Sequence, residues 1–153
     1  MLMADLTLAL RPESPPRMLA IFDLGGFREY AALYGRLEGR DLLARVGDRL
    51  VEAIEQPATF YQPRDAEFAA ILEVPLETSG QILADAVSAV TQRFAQFGLR
   101  LAFGAVMLPI EAAEPIDVLM LADERLYLGA QARAARERRT SLRAQRTPGS
   151  ALY

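Results

Sequence analysis

Two apolar stretches at residues 59–61 and 67–73, with Gln62-Pro63-Arg64-Asp65 between them, constrain this chain more than any other feature. Strands so close in sequence pair as a tight antiparallel hairpin. Helical patterns lie on both sides of it. Upstream, Leu42, Leu43, Val46, Leu50 and Ile54 repeat at helical spacing over residues 39–55, and Pro57 ends the run. Downstream, Ile82, Leu83, Val87, Val90 and Phe94 do the same, with Thr78 or Ser79 as the cap and Gly98 as the stop. A hairpin held between two helical crossovers requires a mixed, mostly antiparallel sheet with helices against it.

The other elements complete that sheet. Residues 18–22 form a short apolar run that ends in Asp23 and reads as a buried strand, broken by Gly25 and Gly26. A short helix follows over residues 27–34. The alternation of Leu99, Leu101, Phe103, Ala105 and Met107 predicts a half-buried strand over residues 99–107. A last helix runs from about Pro115 past Tyr127, with Leu126 and Tyr127 expected to pack it on the sheet. Phe68, Ile71 and Leu72 are expected core, and Phe60 and Tyr61 ordinary strand residues. The order β-α-α-β-β-α-β-α belongs to the α+β class, close to the split βαβ or ferredoxin-like arrangement.

A chain of 153 residues suits one domain. Residues 17–135 are read as that domain, 1–16 as an N-terminal segment and 136–153 as a basic tail. Six of the 17 basic residues fall within residues 133–153, against the single acid Glu137. That tail reads as a solvated helix end, fraying past about Arg139 into a mobile terminus, rather than as a nucleic-acid site. Thr147, Pro148, Gly149 and Ser150 punctuate it. No apolar run is long enough to span a bilayer, and the first ten residues lack the basic start of a secretory signal. A soluble, cytoplasmic protein with no membrane partner is expected.

Composition narrows the chemistry further. The sequence has no Cys, no His and no Lys. Thiolate zinc sites, cysteine nucleophiles, histidine general bases and lysine Schiff bases are all excluded. Any reaction must use carboxylates, hydroxyls, Arg and backbone groups, which means Mg²⁺-type oxygen coordination or no catalysis at all.

Three strings in the expected order resemble the GGDEF domain of diguanylate cyclases, the bacterial signalling family that condenses two GTP molecules into cyclic di-GMP on a palm-like fold. They are IFDLGGFREYAALYGRLEGRDLL, YQPRDAEFAAILE and LADERLYLGAQARA, and the resemblance covers about residues 17–135. It implies a metal-binding carboxylate at Asp23, a second at Glu67 and a phosphate contact at Arg28. The hairpin that names the family reads Arg64-Asp65-Ala66-Glu67-Phe68 here. Both glycines and the first acid are therefore replaced, leaving side chains where phosphate would approach backbone and no metal oxygen on Ala66.

Other matched positions depart as well. The guanine-facing Asn corresponds to Ala31 and the Asp of the Gly-Asp pair to Arg40. The phosphate-binding Lys and Arg of the closing helix correspond to Ala130 and Ala134. The inhibitory Arg-x-x-Asp aligns with Glu55-Gln56-Pro57-Ala58 and is absent. Asp5-Leu6-Thr7-Leu8 resembles the family's lead-in, with the helix expected before the first strand reduced to a few residues.

The chain thus reads as a degenerate GGDEF domain that is catalytically inactive and works as a signalling, interaction or dimerisation module, with a protein or a second copy as partner. The alternatives are a diguanylate cyclase with a rebuilt pocket, or a nucleotide sensor. No cofactor is expected, unless Mg²⁺ binds a residual pair at Asp23 and Glu67. In the plainer reading, Asp23 caps the turn into the first helix and Glu67 faces water. GTP and cyclic di-GMP binding are not expected; an alternative reading has Arg64 pair with Asp23 or Glu67 in place of the missing cations.

Overall fold

The computed structural model describes residues 1–75 and 77–146. Its elements run α1 (Leu2–Ala9), β1 (Arg17–Gly25), α2 (Phe27–Tyr34), α3 (Arg36–Ala53), β2 (Ala58–Arg64), β3 (Glu67–Leu72), α4 (Ser79–Phe94), β4 (Arg100–Leu108) and α5 (Pro115–Arg146). The four strands form one sheet in the order β2-β3-β1-β4, with every neighbouring pair antiparallel. The α+β architecture and the hairpin follow the sequence pattern.

Both faces of the sheet are covered. Met18, Ala20, Phe22 and Leu24 of β1 point with Phe68, Ala70 and Leu72 of β3 into a core closed by α3 and α4. Leu19, Ile21, Ala69 and Ile71 point the other way, into a second core closed by α1 and α5. The expectation of a half-buried β4 is therefore corrected. Leu101 faces the first core while Val106 and Leu108, all three fully buried, include the two that face the second. Alternation marks which face a residue takes and does not reveal that helices cover both.

The missing cover was α1. The N-terminal segment is a helix, with Leu6 completely buried and the Tyr61 hydroxyl donating to Asp5 Oδ2 at 2.5 Å. Apolar residues on nearly every side of this helix left no amphipathic stripe to read. Tyr61 is thus more than a strand residue, and burial together with the Asp5 carboxylate pushes its phenol up to about 12. Thr78 holds the N-cap position of α4, and Gly98 adopts the left-handed conformation after the short 3₁₀ turn Ala95–Phe97.

Helix α5 also differs from expectation. It continues to Arg146 instead of fraying past Arg139, because Ala, Arg, Glu and Gln favour helix even without a buried stripe. Arg100 of β4 pairs with Glu137 and ties this stretch to the sheet. The punctuation expected at residues 147–150 lies outside the described residues. Tyr127 does not pack on the sheet. It is 64% exposed, whereas Val118, Ala122 and Leu126, four residues apart, share the inward face.

Ala122 lies over Gly104 of β4, where any Cβ would collide with the Ala122 carbonyl. Gly104→Ala is expected to destabilise the domain by about 1–3 kcal/mol, since backbone must move to make room. Gly80→Ala in α4, where nothing lies within 4 Å of the added methyl, is expected to stabilise by about 0.5–1 kcal/mol. Urea unfolding of the two variants tests both.

Candidate functional site

The β1–β3 ladder sets the carboxylate geometry. Asp23 lies directly opposite Glu67, just as Phe22 lies opposite Phe68 one step deeper. By strand alternation both acids fall on the α5 side of the sheet, where its apolar core ends. Partial burial raises both carboxyl pKa values above their ordinary 3.8 and 4.5. For Glu67, the charge of Arg64 works against that rise, while Asp123 of α5 and Asp23 add to it.

Three expectations about this pair are corrected. Arg64 acts on Glu67 only through its field, for no ion pair joins it to either acid among the described residues. It ends β2 as an exposed residue opposite Glu67. Asp23 does not cap α2, whose N-cap is Gly26 with no side-chain capping bond. Glu67 is half-buried rather than facing water. As oxygen ligands, Asp23 and Glu67 stand alone, with no group of three or more metal-ligating side chains among the described residues. Ala66 adds no side-chain oxygen, and its carbonyl already accepts the Leu24 N–H at 2.8 Å. Mg²⁺ is commonly held by one or two carboxylates completed by water and phosphate oxygens.

The hairpin itself turns at Asp65 and Ala66, and Ala66 carries the positive φ, at 63°. A left-handed conformation at a residue with a Cβ costs about 1 kcal/mol. Ala66→Gly is therefore expected to raise stability, by several tenths of a kcal/mol once the freer unfolded chain is counted, as read by urea unfolding.

Two cavities hold positions of the family strings. One, of about 560 Å³, holds Asp23, the Gly25-Gly26 turn, Ala130, Arg100 and Arg133. Arg133 donates to the Leu101 carbonyl at 2.6 Å. Neither arginine was singled out from the sequence. Arg133 stands one residue before Ala134, a displacement of about 100° around the helix, so only its place in the basic tail hinted at it. The second cavity, of about 570 Å³, brings Ala31 and Arg40 together with Phe27, Arg36, Leu43 and Asp65. Arg28 is exposed and lines neither cavity.

The raised carboxyl pKa values fix a pH dependence. Each ionised acid is less stable folded than unfolded, so its effect is absent below the ordinary carboxyl values and opposes folding as pH rises through and above them. Asp23→Asn or Glu67→Gln is expected to raise Tm at about pH 7 and to leave it unchanged at about pH 3, measured by thermal melts across that range.

Comparison with known proteins agrees with this architecture. The family profile for the diguanylate cyclase GGDEF domain matches residues 2–137. No curated protein sequence matches significantly. Among solved structures, the GGDEF domain of YfiN (TpbB) from Pseudomonas aeruginosa superposes with a TM-score of 0.72 at 20% identity, over 86% of this chain and 82% of that one. The active GGEEF domain of a diguanylate cyclase from Vibrio cholerae gives 0.70 at 20% identity, over 86% and 88%. The coiled-coil and GGDEF portion of DgcB from Caulobacter crescentus, solved with cyclic di-GMP, gives 0.71 at 17%, over 84% and 73%. These likenesses fix the fold, and the profile match over most of the chain places it in the GGDEF domain family of cyclic di-GMP signalling.

Proposed function

We propose that this GGDEF domain does not turn over GTP and serves cyclic di-GMP-related signalling as a non-catalytic module that engages a protein partner or a second copy. The observation that carries this reading is the cavity between α2 and α3, where Ala31 and Arg40 meet. A guanine edge offers N–H donors that need an acceptor, and an arginine only donates. Alanine offers neither. A site stripped of such partners loses its basis for selecting a purine.

The catalytic side of the site supports the same conclusion. The Vibrio domain described as active carries GGEEF, where this chain has Arg64-Asp65-Ala66-Glu67-Phe68. Phosphoryl transfer depends on metal-held carboxylates and on cations around the triphosphate. Ala66, Ala130 and Ala134 supply none of these. By analogy with the loss of about 10²–10³ in rate per stabilising donor removed, their combined absence silences the reaction. Asp23 and Glu67 then remain as a carboxylate pair and not as a catalytic metal centre. No helix among the described residues is long and apolar enough to cross a membrane. The reading places the domain in the cytoplasm.

Incubation with GTP and Mg²⁺ or Mn²⁺, followed by chromatography, is expected to yield no cyclic di-GMP and no pyrophosphate. Product above the level of a heat-denatured control overturns the proposal.

A further inference from the structure

Helix α5 carries an apolar stripe and a divided set of charges on the side turned away from the sheet. Its inward side is set by Val118, Ala122 and Leu126. On the opposite side Ile116, Met120, Tyr127, Leu128 and Leu142 are each more than half exposed. At about 100° per residue, these five fall within about one third of the helix circumference. A contiguous apolar stripe on a surface helix marks an interaction site.

The charges beside it are separated by sign. Asp117, Asp123 and Glu124 lie in the first third of α5, and six arginines, from Arg133 to Arg146, lie in its last half. The helix dipole favours such a division only in the terminal turns, so it does not account for Glu124 or Arg139. Asp117, Glu124, Arg139 and Arg146 fall within about 60° of one another, along one edge of the stripe. None of the four makes an ion pair among the described residues. The two acids are seven residues apart, and so are the two arginines.

We propose that this face of α5 is a self-association surface, on which a second copy of the chain packs its own α5 antiparallel about a two-fold axis near Gln131. That axis sets Met120 opposite Leu142, Glu124 beside Arg139 and Asp117 beside Arg146, each from the other copy. One register satisfies all three pairings, because the spacing of the acids equals that of the arginines. A parallel pair would instead set like charges together, and a polyanion would be repelled by the acids at the other end of the stripe. The inference rests on the second-copy reading of the partner given above and names the surface it uses. The two fail separately, since GTP turnover overturns that reading and leaves the helix pairing untouched.

Sedimentation velocity of the full chain, from about 5 to about 200 μM, is expected to show a dimer with Kd on the order of 10 μM. Glu124→Arg or Arg139→Glu, both at exposed positions, is expected to weaken it about tenfold, because the two-fold repeats each pair and like charges replace opposite ones. The double variant Glu124→Arg, Arg139→Glu is expected to restore the dimer. The sequence has no cysteine, so a single introduced thiol reports the geometry without interference. In a glutathione redox buffer, Gln131→Cys is expected to crosslink two copies. Met120→Cys is not, since the antiparallel axis holds the two 120 positions about 33 Å apart. A monomer throughout the concentration range, a dimer indifferent to either single reversal, or no restoration by the double variant overturns the proposal. So does crosslinking through position 120, or its absence through position 131.

Discussion

The antiparallel pairing of β1 with strands on both sides is the constraint on which the rest of the structure depends. Arg17 to Gly25 pairs with β4, and Met18 to Asp23 pairs with β3. A shift of one residue would send Met18, Ala20, Phe22 and Leu24 to the α5 face and bury Asp23 beside α3 and α4. The apolar pattern forbids that. The same register that buries Phe22 against Phe68 therefore brings Asp23 opposite Glu67. The carboxylate pair is a consequence of core packing at the end of the strand, and it persists whether or not any ion uses it.

Polar ties attach the helices of the second face. Arg125 of α5 donates to both oxygens of Glu111, at 2.7 and 2.8 Å, and to the Ala105 carbonyl at 2.6 Å. Glu111 also accepts the Met107 N–H. The Arg125 hydrogen bonds hold the Glu111 carboxyl below its ordinary value. That acid supports folding above the unfolded-state pKa and loses its contribution as pH falls through the lowered folded value. Asp23 and Glu67 act with the opposite sign. The response of this domain to pH is thus a contest between a clamp that needs ionised carboxylate and a pair that resists it.

What was legible in the sequence follows from this division. Helical periods located α3 and α4, whose apolar residues meet one core, and an apolar run and an alternating one located β3 and β4, whose residues meet both. The spacing could not show α1, whose apolar residues surround it, or Tyr61 reaching back 56 positions to Asp5. Nor could it show which arginines reach the cavities. Arg133 and Arg100 are brought together by the packing of α5 on β4, a long-range contact. Ala31 and Arg40 were legible as site positions only through their place in a family motif. Arg36 joins them from one helical turn before Arg40 on α3.

The hairpin shows why fold and chemistry separate so readily here. A turn of two residues needs a left-handed conformation somewhere, and glycine supplies it at least cost. Close approach of a phosphate to the backbone is a different demand, and it falls on the side chains removed from the tip. In this chain the first demand is met by Ala66, at a strain of about 1 kcal/mol. The second falls where Arg64 and Asp65 carry exposed side chains. The β1–β3 ladder keeps its register up to Asp23 and Glu67, whereas the β2–β3 pairing shifts register between Tyr61 and Arg64, next to the turn. The interactions that build the sheet, the β1 ladders and the two cores, therefore do not involve the side chains at the hairpin tip.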